Sequence, residues 1–175
     1  MSSPLILTLQ IDESSQEHFD HLRELHFPPE RNYLRAHLTL FHKLPGARAA
    51  EISAELREIC QDHEPFTLTT TGLRFLGGGV AHELSSPELL ALRRELARSW
   101  EPWLGAQDRQ GFKPHITVQN KVSPERARAL QKELQASFTP FEIRGVGLSL
   151  WRYLGGPWEP VDTHLFGSGP EGDAP

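Results

Sequence analysis

Two tetrapeptides share one pattern, His37-Leu38-Thr39-Leu40 and His115-Ile116-Thr117-Val118. Each places a histidine and a threonine two positions apart, with large aliphatic residues at the other two positions. Successive side chains of a β-strand point to opposite faces, so a strand would carry His and Thr on one face and the aliphatic residues on the other. The composition of the chain predicts roughly 0.2 such matches by chance. The repeated pattern is therefore the strongest local signal in the sequence.

The same succession of elements is predicted around each tetrapeptide: strand, helix, motif strand, helix and strand. The predicted strands are residues 4–12, 34–41 and 66–76 in the first half, and 80–84, 112–121 and 141–154 in the second. The predicted helices begin near Ser14, Ala47, Ser86 and Ser123. Residues 158–166 complete a final hairpin. The two halves therefore read as one unit that is repeated.

The repeat predicts an α+β fold of two lobes, built from internally duplicated β-α-β-α-β units over residues 4–76 and 79–166. Antiparallel sheets would line a central cleft, with helices outside and the two motif strands facing each other across the cleft. We expect residues 1–167 to form this single two-lobed domain. Residues 168–175 consist of Gly, Pro, Ala and acidic residues after Ser168, so we expect a disordered tail.

Composition excludes several classes of protein. The chain has 175 residues, of which 38% are hydrophobic and 23% charged, and its formal net charge is −5. That charge does not favour non-specific binding to a long nucleic-acid duplex, so a small substrate or the end of a strand is expected. Cys60 is the only cysteine, which excludes a disulfide framework and points to a reducing cytoplasm. The sequence predicts neither a membrane span nor a signal peptide.

Paired histidines and threonines suit phosphodiester chemistry. One neutral imidazole can accept a proton from an attacking water or hydroxyl, and a protonated imidazole can give one to the leaving oxygen. Threonine hydroxyls on the same strand face can donate hydrogen bonds to phosphoryl oxygens. Such a set needs no metal, and a cyclic phosphate is a suitable substrate because its ring holds the attacked atom and leaving group together.

The paired His-x-Thr motifs resemble the signature of the two-histidine phosphoesterase superfamily, which includes RNA 2′,3′-cyclic phosphodiesterases, also called 2′-5′ RNA ligases. The resemblance extends over roughly residues 4–167 and includes Lys113-Pro114 and the Leu44-Pro45 turn. It implies a bilobal, duplicated α+β fold without a cofactor. It also implies hydrolysis of a 2′,3′-cyclic phosphate to a 2′-phosphate, and in some members reversible 2′-5′ joining of RNA ends.

Site residues are carried over from this resemblance one by one. His37 and His115 would be the catalytic acid–base pair, with the two roles unassigned, and Thr39 and Thr117 would bind the phosphate. Many RNA-processing members carry an arginine shortly after the second motif, whereas this chain has Gln119-Asn120-Lys121. Lys121 is expected on the strand face of His115, where its ammonium would supply the positive charge. No metal is expected.

Aromatic residues suggest a place for a nucleobase. Phe41 is expected on the His37 face, and Trp151, Tyr153 or Trp158 would come from the last hairpin. His42 is expected on the opposite strand face, in a packing or structural role. The histidines of the first helix, His18, His21 and His26, lack a cysteine or carboxylate partner in pattern and read as a solvated face.

Three functions remain open at this point. The leading hypothesis is a metal-independent cyclic phosphodiesterase that acts, as a monomer, on a small cyclic nucleotide or on an RNA terminus. The first alternative is a 2′-5′ RNA ligase, which would join a cyclic phosphate end to a 5′-hydroxyl end. The second is a non-catalytic protein that binds phosphorylated ligands and leaves every ester intact.

Overall fold

A computed structural model describes residues 2–167, which form seven β-strands and five α-helices. The strands are β1 Leu5–Ile11, β2 Leu38–Leu44, β3 Phe66–Phe75, β4 Val80–Ser85, β5 His115–Gln119, β6 Glu142–Tyr153 and β7 Trp158–Leu165. The helices are α1 Glu13–His26, α2 Ala49–Gln61, α3 Pro87–Ser99, α4 Ala106–Arg109 and α5 Pro124–Ala136. None of these helices is long and apolar enough to cross a membrane. The tail predicted to be disordered, 168–175, lies outside the described residues.

All seven strands join one antiparallel sheet in the order β2-β1-β6-β3-β4-β5, with β7 beside β6. The predicted α+β class and antiparallel pairing are confirmed. The sequence suggested separate sheets, whereas the β3–β6 ladder, from the Phe66–Gly145 pair to the Thr69–Glu142 pair, makes them continuous.

The strand order is symmetric. If each strand of one predicted unit is replaced by the matching strand of the other, the same order results, read backwards. Each unit's first strand pairs with its own motif strand, β1 with β2 and β4 with β5. It also pairs with the third strand of the other unit, β1 with β6 and β4 with β3. The motif strands β2 and β5 are therefore the two ends of the order, and they lie next to each other because the sheet curls. The repeat boundaries themselves stay a prediction.

Local sequence explains where the helices begin. The side chains of Ser86 and Ser123 accept hydrogen bonds from the backbone N–H groups of Leu89 and Arg126, so these serines are the N-caps of α3 and α5, next to the predicted helix starts. Helix α1 begins at Glu13, one residue before the predicted Ser14, because the Asp12 carboxylate caps it by accepting the Ser15 N–H at 3.1 Å.

The aliphatic face of the sheet packs on the helices in one core. Strand residues Leu5, Leu7 and Leu9 are at most 4% exposed, and helix side chains cover them. The main helix contributions come from Phe19, Ile52, Leu56, Leu89, Leu92 and Leu96. Because these residues occupy one side of the sheet, the polar positions of the same strands are left for the other side.

His82 of β4 is a buried histidine outside the motifs. It is 5% exposed, and neither ring nitrogen has a hydrogen-bond partner in the described part of the chain. Its ring lies 5.3 Å from that of Phe19 and 6.1 Å from that of Phe141, centroid to centroid. Burial, with a smaller contribution from the charge of His18, lowers the pKa of His82 to about 4. The folded protein therefore holds this imidazole neutral.

We expect His82 to make the folded state acid-sensitive. Between pH 6.5 and 4 the unfolded chain takes up a proton on this side chain and the folded chain does not, so the free energy of unfolding falls by on the order of 3 kcal/mol. His82→Leu should remove that part of the fall, as measured by urea denaturation at a series of pH values. His21→Leu, at an exposed position of α1, is the control. The same pH dependence in His82→Leu and wild type would contradict the prediction.

Candidate active site

The two motif strands show the predicted alternation. His37, Thr39, His115 and Thr117 are partly exposed on one side of the sheet. The aliphatic residues between and after them are at most 1% exposed, namely Leu38, Leu40, Ile116 and Val118. Core packing of the aliphatic residues therefore leaves the polar ones on the opposite side of the two strands.

Equivalent hydrogen bonds orient the two imidazoles. Nδ1 of His37 lies 2.8 Å from the backbone oxygen of Arg35, and Nδ1 of His115 lies 3.0 Å from that of Lys113. In both cases the partner is the carbonyl two residues earlier, so the same local backbone holds each ring. A carbonyl oxygen only accepts, so these contacts favour a proton on Nδ1 and leave Nε2 for a ligand.

A cavity of about 520 Å³ brings the two strands together. Thr39 of β2 and His115 of β5 both line it, with the cationic side chains of Arg74 and Lys113. His37 lines a second cavity of about 210 Å³. The two motif histidines lie near each other, because the charge of His115 is among the causes that lower the pKa of His37.

Both motif histidines are poor proton binders without a ligand. Burial lowers the pKa of His37 to about 4, and the charges of Arg23, His115 and His42 act in the same direction. Burial also lowers the pKa of His115 by a smaller amount, with Arg74 lowering it further and Glu83 opposing. At neutral pH both rings are therefore neutral in the free protein, and an anionic ligand would raise both pKa values.

Arg23 is a buried cation behind the site. It is 4% exposed on α1, donates to the backbone oxygen of Thr117 at 3.3 Å and to Oδ1 of Asn32 at 3.0 Å, and stacks over the ring of Phe27. Sequence reasoning missed it, although an arginine four positions after Phe19, in the apolar stripe of α1, was a usable signal.

Arg74 of β3 lies beside His115. Its Nε donates to Oε2 of Glu83 at 2.8 Å, and Nη1 lies 3.2 Å from Nδ1 of His115. A guanidinium only donates, so Arg74 and the Lys113 carbonyl favour opposite tautomers of His115. His37 has no such competitor among its hydrogen bonds within residues 2–167. Arg74 is distant in sequence from either motif, and no local pattern predicted it.

Lys121 does not take the place that the sequence suggested. Strand β5 ends at Gln119, and Lys121 follows in a turn with a left-handed φ of 65°. Its N–H donates to the Asn120 side chain, and its own side chain is exposed. This turn ends the strand alternation, so Lys121 lines neither cavity of the cleft. Arg74 is the cation beside His115 instead.

Phe41 is not available to a nucleobase, contrary to expectation. Leu7 pairs with Phe41 and Thr8 pairs with Thr39, so Leu40 is an extra residue in β2, a β-bulge. The bulge turns Phe41 to the core, where it is fully buried, with its ring 5.2 Å from that of Trp100 and beneath the guanidinium of Arg93.

Aromatic residues do line the cavity at His37. Trp151, Trp158 and Tyr33 form its walls, and the Trp158 ring lies 4.6 Å from that of His37. The Trp151 indole N–H donates to Oγ1 of Thr8 at 2.9 Å, which fixes the ring. Tyr153, the last residue of β6, is 40% exposed and is not among the lining residues. Tyr33 had not been expected, because it precedes the motif strand in a loop.

The profile of the 2′-5′ RNA ligase superfamily matches residues 11–157 of the sequence. The chain belongs to this superfamily. No curated protein sequence matches it. The match includes both motif strands and most of the sheet, so the family resemblance suggested by the sequence is confirmed.

Solved structures resemble the chain at low sequence identity. TT0787 of Thermus thermophilus is 16% identical with a TM-score of 0.66, covering 93% of this chain and 97% of that one. A crystal structure described as a phosphoesterase is 18% identical with a TM-score of 0.61, covering 95% and 99%. LigT of E. coli, complexed with 3′-AMP, is 20% identical with a TM-score of 0.55, covering 95% and 99%. At these identities the likeness shows a shared fold.

No group of three His, Cys, Asp or Glu side chains within residues 2–167 has the arrangement of a metal site. In this part of the chain the histidines of α1 belong to no such group. His18 packs edge-on against Phe19 and Phe141, whereas His21 is exposed beside Glu24. What this part of the chain offers to a ligand in the cleft is therefore a set of imidazoles and cations.

We expect Arg74 to control the titration of His115. In Arg74→Gln the pKa of His115 should rise toward its ordinary value, because a positive charge beside the ring is removed while burial is kept. Histidine titration by NMR measures the shift, and Arg128→Gln, on α5, is the control. An unchanged or lower pKa of His115 in Arg74→Gln would show that the guanidinium does not act on this ring.

Proposed function

We propose that this superfamily member is a metal-independent cyclic phosphodiesterase that hydrolyses a 2′,3′-cyclic phosphate, on an RNA end or a small nucleotide, to a 2′-phosphate. The observation that carries the proposal is the matched pair of imidazoles. His37 and His115 lie on neighbouring edge strands, each with Nδ1 at the carbonyl two residues earlier and each beside a threonine. Two such groups at one cleft suit in-line attack and departure at phosphorus.

His37 is proposed as the base and His115 as the acid. The lower pKa of His37 and its Nδ1 contact with the Arg35 carbonyl keep Nε2 as a free acceptor at neutral pH. Nε2 takes a proton from water, the water oxygen bonds to phosphorus, and the P–O3′ bond breaks with its electron pair on O3′. His115, protonated as the anionic substrate binds, gives its Nε2 proton to O3′. Proton exchange with solvent then returns both imidazoles to their starting protonation states.

The negative charge that develops on phosphorus needs donors in place. Thr39 and Thr117 are proposed to donate their hydroxyl hydrogens to the non-bridging oxygens, since each shares a strand face with a motif histidine. Arg74 adds a guanidinium at the His115 side. Because these groups are held by the sheet, they need little reorganisation as the charge develops.

The aromatic cavity is proposed to bind the nucleobase. Trp151 and Trp158 offer ring faces next to His37, and stacking on an aromatic side chain contributes about 1–3 kcal/mol per base. LigT of E. coli has been solved with 3′-AMP, ATP, NADP+ and phosphate. Those ligands belong to that protein, and they support a nucleotide as the kind of substrate to try first on this chain.

Ligation is a second candidate, favoured by the name of the superfamily. It uses the same site in the same direction, with a 5′-hydroxyl in place of water as the attacking group, so the P–O5′ bond forms as the P–O3′ bond breaks. RNA fragments ending in a 2′,3′-cyclic phosphate and a 5′-hydroxyl, incubated with chelator, would then give a 2′-5′ linkage. A non-catalytic binder would instead hold nucleotides and produce neither product.

We propose that the enzyme works as a monomer in the cytoplasm, and its cysteine content supports the compartment. The only cysteine, Cys60, is 1% exposed, and burial raises the pKa of its thiol to about 12. A thiol in that state is unreactive, so the proposed enzyme would have no use for an oxidising compartment.

Each motif histidine is expected to be essential for turnover. His37→Ala and His115→Ala should each lower kcat/KM for adenosine 2′,3′-cyclic phosphate on the order of 10²-fold or more, since each removes one proton transfer. Activity is measured with a chelator present, and His21→Ala is the control. Wild-type rates in both variants, or no turnover by the wild-type protein, would sink the proposal.

The aromatic cavity is expected to recognise the base. Trp151→Leu should raise KM for adenosine 2′,3′-cyclic phosphate about tenfold, because one stacking face is lost. It should leave KM for ribose 2,3-cyclic phosphate, which lacks the base, within about twofold of wild type. Equal increases for both substrates would mean that Trp151 shapes the site and does not contact a base.

A further inference from the structure

The bulge in β2 returns His42 to the cleft. Leu40 and Phe41 are both buried, so the next polar position on the face of His37 and Thr39 is His42. Its side chain is 44% exposed, and it lines the 520 Å³ cavity with Thr39 and His115. An unbulged strand would have turned this histidine to the helices, as the sequence predicted.

A buried carboxylate holds His42. Oδ1 of Asp108 accepts the His42 N–H at 2.8 Å and lies 3.2 Å from the imidazole Nδ1, while Oδ2 accepts the Lys43 N–H at 3.0 Å. Burial by itself would raise the pKa of Asp108, but these hydrogen bonds lower it below the usual range. Asp108 is therefore ionised, accepts a proton-bearing Nδ1, and leaves Nε2 of His42 to the cavity.

Arg93 holds both the backbone of Asp108 and the bulge. It is 8% exposed on α3, its Nε donates to the Leu40 backbone oxygen, and its Nη2 donates to the Asp108 backbone oxygen, both at 2.8 Å. The guanidinium also lies 4.0 Å above the Phe41 ring. The bulge is thus held from two sides, and the position of His42 does not depend on a flexible surface side chain.

Asp108 contacts both the backbone and a side chain of β2. Its two oxygens accept two backbone N–H groups, which join α4 to β2. The imidazole contact adds to these and orients His42. The second motif strand has the same irregularity, because Val80 pairs with Gln119 and Ala81 with Thr117, so Asn120 stands at the place of His42. The added imidazole therefore occurs on one motif strand only, on the side of the cavity that His115 and Arg74 line.

We propose that His42 is a third imidazole of the site, which binds a non-bridging phosphoryl oxygen beside His115 through Nε2–H, and that Asp108 is its positioning residue. The proposal rests on the proposed function in that its ligand is the same phosphoryl group. In the proposed complex Nδ1–H faces Asp108 and Nε2–H faces the phosphoryl oxygen, so the ring lies between the two anions. With Arg74 it supplies the charge that an arginine after the second motif would have carried.

Several charged and titratable groups act on His42 from the elements around it. Asp108 of α4 is the anion in contact. His37 and His115 lie close enough for the charge of His42 to lower their pKa values. The remaining groups are the cations of the cavity and of the adjacent position, Arg74, Arg93, Lys113 and Lys43. The test below therefore compares variants at fixed pH, which leaves these groups unchanged.

Steady-state kinetics of His42→Gln and His42→Lys on adenosine 2′,3′-cyclic phosphate test the charge. His42→Gln should raise KM roughly tenfold or more at about pH 6, because a charge-assisted hydrogen bond is lost. His42→Lys keeps a positive charge and should stay within about threefold of wild type. His21→Gln is the control.

The positioning role of Asp108 is tested by a double-mutant cycle. Asp108→Asn should raise KM in the wild-type background and have no further effect on KM in His42→Gln, because Asp108 acts on the ligand only through His42. Thermal unfolding of each variant verifies that it is folded. An equal effect of Asp108→Asn in both backgrounds would overturn this role.

The outcomes that decide this inference differ from those that decide the proposed function. An unchanged KM in His42→Gln, or equal impairment of His42→Gln and His42→Lys, overturns the inference even where the wild-type protein is active. If the wild-type protein hydrolyses no cyclic phosphate, the proposed function fails, and calorimetric binding of inorganic phosphate decides the inference. Binding to His42→Gln that is about tenfold weaker than to wild type supports it, and equal binding overturns it.

Discussion

Antiparallel pairing between the two halves of the chain is the constraint on which the site depends. Strand β6 pairs with β1 and with β3. The third strand of each half thus pairs with the first strand of the other half. Neither half can complete its sheet alone. The motif strands β2 and β5 are consequently left as the two ends of the sheet order, where they lie beside each other, and the charge of His115 acts on His37.

The pairing is nearly symmetric, but the cleft is not. The bulge at Leu40, held by Arg93 and Asp108, places His42 beside His115, and Arg74 adds a guanidinium there. The His37 end has the aromatic walls of Trp151 and Trp158, and Arg35 also lines that cavity. Tryptophan walls at one end would give a nucleotide one favoured direction across the two imidazoles. Burial lowers the pKa of both rings, and the charge of Arg74 adds to that effect at His115.

Much of the fold could be predicted because its signals are local. Alternation in the two tetrapeptides, the N-caps at Ser86 and Ser123, and the periodicity of the helices each depend on neighbouring residues. The Phe41 and Lys121 predictions were wrong where the alternation was interrupted. A one-residue bulge turned Phe41 inward, and Lys121, itself in the left-handed conformation, lies in a turn beyond the end of β5. Neither event has a clear local signal, because the bulge is held by an arginine and an aspartate from distant helices.

The sequence by itself determined the family, the α+β class, and the two His-x-Thr pairs with their buried aliphatic partners, because each follows from residue type and short-range spacing. Only the tertiary structure decided which charges and rings surround those pairs. Arg23, Arg74, Asp108 and Trp158 lie far from at least one of the motifs in sequence, and the sheet brings them to the same cleft. Alternation is a property of a strand, whereas electrostatic surroundings are a property of the folded chain.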